Sequence, residues 1–403
     1  MTDGRGSSIH LRMRARDTTE PHRASSPLEA LYDLVFVVAV GSLVGQLAIA
    51  IEDGEVAVRI VPYLSVFFAI WWAWINFTWF ASAYDTDDVI YRLLAVLQMA
   101  GVLVLAAGVP LAFDHDEFAV VTIGYVIMRL GQIGLWLRAA AEHPAGRSTS
   151  LRYAAGVLVV QLLWCARLLL PAQPGWLFVA SFLVLAVLEV LMPVWAERRG
   201  GLSWHPHHIA ERYALFVLIL LGESVLAAVN GLRAALEAQG LTAPLVAVAV
   251  AGLVLLVALW WAYFLQPAGE GLARRRQRSF VWGYGHYFLF AALAAVGGGL
   301  EAAVQAGAHP DGGQALLVGL ALAVPSAACV LLIWGLHAPL LETSGFPAAI
   351  AVPASALILL AGALAPLVGV VGAVVAIALV AAASVAAAVA VGQVTRPGRA
   401  RRP

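Results

Sequence analysis

Apolar residues run through this chain in long stretches, and polar residues gather in short segments between them. Twelve stretches approach the roughly 20 residues an α-helix needs to cross the hydrocarbon core of a bilayer. They lie near 31–51, 60–82, 92–113, 118–138, 152–171, 175–195, 212–230, 243–265, 281–304, 314–335, 346–366 and 369–391. The last two share one uncharged stretch between Glu342 and Arg396. It is too long for one helix and suits two, with a turn near Pro366 and Gly369. The pattern predicts an all-α fold, a polytopic transmembrane helical bundle of about twelve spans. Six spans precede a polar connection and six follow it. Such halves would share one orientation, as in the parallel repeats of some transporters. Trp71-Trp72-Ala73-Trp74 and Trp260-Trp261-Ala262-Tyr263 occupy matching places in the two halves. So do Glu29-Ala-Leu-Tyr and Glu211-Arg-Tyr-Ala-Leu.

Composition sharpens this picture. Hydrophobic residues make up 62% of the 403 and charged residues only 12%, with a mean hydropathy of +0.87. A soluble domain carries about 25% charge. So few polar groups cannot cover a surface of this size in water, whereas lipid tolerates an apolar exterior. The lipid bilayer is therefore the first expected partner. The net charge is zero, which removes the electrostatic case for nucleic acid. Cys165 and Cys329 both fall within apolar stretches and imply neither a disulfide framework nor a metal site.

The arginines supply an orientation, because cytoplasmic loops collect basic residues. With the N-terminus inside, all arginines fall in cytoplasmic segments except Arg59 and Arg233 outside and Arg129 and Arg167 within spans. A miscounted early span would invert every later loop, so span count and orientation support each other. The expected layout is a disordered Arg-rich cytoplasmic tail (1–27), a first membrane half (28–195), a cytoplasmic connection (196–211), a second half (212–391) and a basic cytoplasmic tail (392–403). A bacterial inner membrane with both termini cytoplasmic is the expected location. The first stretch contains Asp33 and Gln46 and is long for a signal peptide, so it is read as a retained span.

Ionisable groups inside spans are costly and mark candidate functional positions. Glu29 and Asp33 lie four apart, hence on one helix face, at the mouth of the first span. His208, Glu211 and Arg212 open the seventh. Glu223 and Ser224 follow about 18 Å further along it, taking 1.5 Å per residue. His286 and Glu301 lie on one stripe of the ninth span, separated by Gly297-Gly298-Gly299, a run suited to close helix packing. These nine residues are candidate solute- or ion-binding groups. Arg129 and Glu189 are structural ion-pair candidates, with Glu223 an alternative partner for Arg129. Gly41-x-x-x-Gly45 and Gly222 suggest close helix approaches. His205, His207 and His208 with Glu211 lack a second ligand cluster, so no metal is expected; no catalytic residue and no cofactor are assigned either.

These segments resemble the bacterial low temperature requirement A family. The resemblance rests on Glu29 with Asp33-Leu-Val-Phe-Val, on His208-x-x-Glu211-Arg212 with Leu221-Gly-Glu-Ser-Val, and on Tyr284-Gly-His286 with Glu301 following. It covers residues 27 to 390 and is strongest in the first and seventh spans. The resemblance implies a multi-pass bacterial membrane protein linked by name to growth in the cold, and supplies no substrate. The function expected from the residues is a transporter or permease for a small solute or ion, using intramembrane carboxylates, with protons as the candidate coupling ion. The alternatives are a membrane-embedded lipid-modifying enzyme, whose only candidate groups are His208, Glu211 and Ser224, and a non-transporting stress or assembly factor. Homo-oligomerisation is left open.

Overall fold

The computed structural model describes residues 9–17, 20, 25–84, 86–170, 175–308, 314–341 and 344–394. Thirteen α-helices follow in order among them: α1 (Pro27–Glu52), α2 (Val56–Ala83), α3 (Val89–Asp114), α4 (Ala119–Glu142), α5 (Arg147–Leu168), α6 (Gly175–Ala196), α7 (Pro206–Gln239), α8 (Ala243–Phe264), α9 (Ala268–Arg274), α10 (Ser279–Ala308), α11 (Ala315–His337), α12 (Ala348–Ala363) and α13 (Ala365–Val394). No strand occurs among the described residues, only an isolated bridge between Ala15 and Tyr84. Eleven helices are long and apolar enough to cross a membrane, and α12 is a shorter apolar helix of 16 residues. Each apolar stretch read from the sequence corresponds to one of these twelve. The expected turn near Pro366 and Gly369 is present: Gly369 has φ 76°, a left-handed conformation that glycine adopts without penalty. The short helix α9 carries charged ends and was not anticipated.

Local signals explain the helix starts. Ser26 and Glu29 form a capping box at α1. The Ser26 N–H donates to Glu29 Oε2 at 2.7 Å, and the Glu29 N–H donates to Ser26 Oγ at 3.2 Å. Pro27 takes the first helical position, where no N–H is needed. Asp88 caps α3 by accepting the Tyr91 N–H at 2.9 Å. His205 caps α7, its Nδ1 accepting the His208 N–H at 3.4 Å. Its Nε2–H therefore donates to the Glu20 carbonyl, 2.9 Å away.

The chain divides into two compact units. The first comprises residues 1–43 and 60–212; the second comprises 44–59 and 213–403. In the first unit α3 and α4 pack along a seam of small residues, where a methyl group on Gly124 would lie 2.4 Å from the Leu105 nitrogen. Apolar side chains such as Leu162, Leu183, Val184 and Leu191 are exposed along α5 and α6, as a lipid-facing surface requires.

The N-terminal segment departs from the expected disorder in its described part. Asp88 accepts the Leu11 N–H at 2.7 Å, and Glu142 accepts the Met13 N–H at 2.5 Å. Arg138 joins both acids, donating to Asp88 at 2.5 and 2.8 Å and to Glu142 at 2.9 Å. The Arg16 N–H donates to the Ala83 carbonyl at 3.0 Å. Backbone groups, invisible to a composition argument, anchor this strap. Burial alone would raise the Asp88 carboxyl, but donors from Arg138, Leu11 and Tyr91 outweigh it and hold it at about 2. Arg5, Arg23 and residues 395–403 lie outside the described residues, so most of the C-terminal tail does too.

In the second unit α10 is the central helix, and its glycine triplet performs the expected packing. A methyl on Gly297 would lie 3.0 Å from Ser224 of α7. One on Gly298 would lie 3.3 Å from the Val44 carbonyl, and one on Gly299 2.8 Å from the Ala321 carbonyl of α11. Two other glycines do not mediate the close approaches expected of them: nothing lies within 4 Å of a methyl placed on Gly45 or Gly222.

Candidate functional site: a buried ionic cluster in the first unit

The start of α7 brings two basic side chains beside the acids of α1. Glu29, Asp33, His208 and Arg212 are all at most 3% exposed, so their charges face one another and not water. Arg212 Nη2 donates to Asp33 Oδ1 at 2.6 Å, and Nη1 lies 3.5 Å from Glu29 Oε1. Asp33 Oδ1 also accepts the Trp74 indole N–H at 2.8 Å from α2. Thr78 lies one turn further along α2, its Oγ1 3.4 Å from Arg212 Nη2. His208 Nε2 stands 3.1 Å from Glu29 Oε1, at ion-pair distance. Among the described residues neither ring nitrogen of His208 has an aligned hydrogen bond. Tyr32, between the two acids in sequence, donates to Gln98 Oε1 of α3 at 3.2 Å and stacks on Phe77 at 3.9 Å.

The geometry depends on helix periodicity. Glu29 and Asp33 are one turn apart on α1, and His208 and Arg212 are one turn apart on α7. Two i,i+4 pairs therefore meet side by side. Glu211 points elsewhere: it accepts the Ser25 N–H at 3.2 Å and holds the entry to α1.

A second ionic cluster in this unit is built differently. Arg129 of α4 lies 3.6 Å from Glu189 of α6 and donates to the Tyr125 hydroxyl. Tyr125 donates to Glu189 Oε1 at 2.8 Å, and the Trp72 indole N–H donates to Glu189 Oε2 at 2.7 Å. This joins the two residues named as structural ion-pair candidates. It replaces the alternative pairing of Arg129 with Glu223, because one guanidinium and one carboxylate already balance in charge and two aromatic donors serve the carboxylate. Trp72 and Trp74 entered the sequence reading only as part of a segment matched in the second half. Their indole N–H groups serve buried carboxylates, which accounts for two tryptophans within a stretch flanked by apolar residues.

The remaining candidates belong to the second unit. Glu223 is 5% exposed and has no hydrogen-bond or ion-pair partner among the described residues. The Ser224 hydroxyl lies 3.0 Å from the Leu220 carbonyl and 3.3 Å from the Leu293 carbonyl, and can donate to either. His286 donates through Nδ1 to the Trp282 carbonyl at 2.7 Å, which leaves Nε2 to accept the Tyr263 hydroxyl at 3.2 Å. Its ring is 5.9 Å from His337, a buried histidine that the sequence reading passed over because it ends an apolar helix. Glu301 is half-buried and shares its electrostatic surroundings with Glu52. Among the described residues no group of three His, Cys, Asp or Glu could hold a metal ion.

Comparison with known proteins agrees with the motif reading. The family model for the bacterial low temperature requirement A protein matches residues 24–392. An uncharacterized protein of Rhizobium meliloti is 29% identical over 271 residues, 65% of this chain and 63% of its own length. The chain therefore spans less than two thirds of that relative. No solved structure matches. The family match contains both ionic clusters, Glu223, His286 and Glu301, and with its many apolar helices the chain is a multi-pass membrane protein that belongs to the bacterial low temperature requirement A family.

Proposed function

We propose that this protein is a proton-coupled transporter of the bacterial cytoplasmic membrane, with Glu29, Asp33, His208 and Arg212 as its proton-binding site. The supporting observation is geometric. Two buried carboxylates, a guanidinium and an imidazole meet where α7 begins beside α1, with Arg212 Nη2 2.6 Å from Asp33 Oδ1 and His208 Nε2 3.1 Å from Glu29 Oε1. Ionisable groups at such depth are costly and recur in proton relays. A proton exchanged at the contact of His208 with Glu29 alters the charge between α1 and α7. The Arg129–Glu189 cluster sets one guanidinium against one carboxylate and is assigned a structural role.

Mid-membrane carboxylates recur in proton and cation pathways, and Glu223, buried with no cation at ion-pair distance among the described residues, is a second candidate proton-binding group, in the second unit. The distribution of arginines supports cytoplasmic termini. The transported species is a small solute or ion. A lipid-modifying enzyme gains no support, since Ser224, its candidate nucleophile, has backbone carbonyls for hydrogen-bond partners.

The test is complementation. Glu29→Gln removes the carboxylate charge beside His208 and leaves Asp33 and Arg212 paired. It should accumulate and unfold like the wild type, yet fail to restore growth in the cold to a host lacking its own family member. Restoration equal to wild type would refute the assignment.

A further inference from the structure

The first unit contains a cleft unconnected with the proton-binding cluster. It lies where α4 begins and α5 ends, between α2, α4, α5 and α6, is open on one side and has a cavity volume of about 30 Å³. Its walls are aromatic: Phe68, Phe118, Trp164 and Phe182, with Tyr125 also lining it. One charged side chain, Arg167, completes the lining.

Arg167 is held in place. Its Nε donates to Ser181 Oγ at 3.0 Å and its Nη2 to the Phe178 carbonyl at 3.3 Å. Its guanidinium carbon sits 4.2 Å from the centre of the Phe178 ring. No carboxylate lies within ion-pair distance of it among the described residues. Beside it the Trp164 indole N–H is buried without a hydrogen-bond partner among the described residues, which is costly unless an acceptor arrives. A fixed cation, an unmatched donor and a wall of rings define the chemistry of an occupant. It carries an anionic head with acceptor oxygens and a flat or flexible apolar body.

The source of that occupant follows from the two outer helices. Only 33% of the α5 window and 22% of the α6 window are buried, and exposed leucines and valines cover the rest. We infer that this cleft binds the headgroup of an anionic phospholipid, its phosphate on Arg167 and the Trp164 N–H and its acyl chains along the exposed apolar faces of α5 and α6. Guanidinium–phosphate hydrogen bonds are charge-assisted and directional, which suits Arg at this position.

The full chain, purified in a neutral detergent, is titrated with phosphatidylglycerol, phosphatidylcholine or benzoate, and bound lipid is counted by native mass spectrometry while thermal unfolding is followed. Phosphatidylglycerol should bind and raise the unfolding temperature, and phosphatidylcholine should do so much less. Arg167→Gln should weaken phosphatidylglycerol binding about tenfold, the loss of one or two charge-assisted hydrogen bonds. Ala69→Phe, which fills the cleft and keeps the cation, should weaken it as well. Equal retention of the two lipids, or unchanged binding in both variants, would overturn the assignment. Stabilisation by benzoate but not by phosphatidylglycerol would also overturn it, in favour of a soluble organic anion.

Discussion

Replacing Arg212 with Gln tests the energetics of the ionic cluster most severely. Arg212 lies 2.6 Å from Asp33 and 3.5 Å from Glu29, with all three groups buried. At an effective dielectric near 20, each contact is worth about 5 kcal/mol of Coulomb attraction. Desolvation of the guanidinium cancels much of that. Breaking a buried pair from one side nevertheless costs about 3–5 kcal/mol, because the remaining charges stay buried without compensation. Here Asp33 keeps only the Trp74 indole N–H as a hydrogen-bond donor among the described residues, so the upper part of that range applies. In a thermal unfolding assay on detergent-purified protein this corresponds to a fall of roughly 5–15 °C. Adding Asp33→Asn removes the stranded partner and returns the cluster to its original net charge. The double variant should recover more than half the loss. A single variant within about 1 °C of wild type would refute the reasoning, as would a double variant no better than the single.

Other consequences follow from the same structure. Glu189→Gln leaves Arg129 charged with only Tyr125 as a hydrogen-bond acceptor, and should cost about 3 kcal/mol of stability by thermal unfolding while leaving cold-growth complementation intact at permissive expression. Asp88 is held at about 2, below its ordinary 3.8, so its share of the strap's stability is present above about pH 4 and is lost as pH falls toward 2. That share is about 2 kcal/mol, and exposure of residues 9–17, followed by hydrogen exchange, should rise steeply over this interval. Asp88→Asn should show the raised exchange already at pH 7. Gly124→Ala sets a methyl 2.4 Å from the Leu105 nitrogen and should destabilise the α3–α4 contact by about 1–3 kcal/mol, measured as a lower unfolding temperature.

The apolar stretches were legible because a bilayer imposes a length that no other solvent does. Glu29 and Asp33 were legible because charge within apolar sequence is rare and costly. Their partners were harder to see. Arg212 and Arg138 were counted with the loop arginines, and both are buried against acids. A basic residue at a helix end reads the same whether it snorkels to water or turns inward to a carboxylate. Trp74 was hidden by the habit of tryptophan to gather at interfaces. The Ser-x-x-Glu spacing of Ser26 and Glu29 did announce the capping box, and was passed over in favour of the acid pair. The strap from Leu11 to Arg16 could not have been found, since its contacts come mainly from backbone groups that every sequence possesses.

The central claim is that the α1–α7 cluster binds the coupling proton. It is tested most directly in everted membrane vesicles energised by respiration, where a panel of small solutes is added and proton release is followed with an acridine dye. The wild type should collapse the gradient on addition of its solute, and Glu29→Gln, folded and present at equal level, should not respond. A Glu29→Gln response equal to wild type, or no solute-dependent proton movement from the wild type across the panel, would contradict the account.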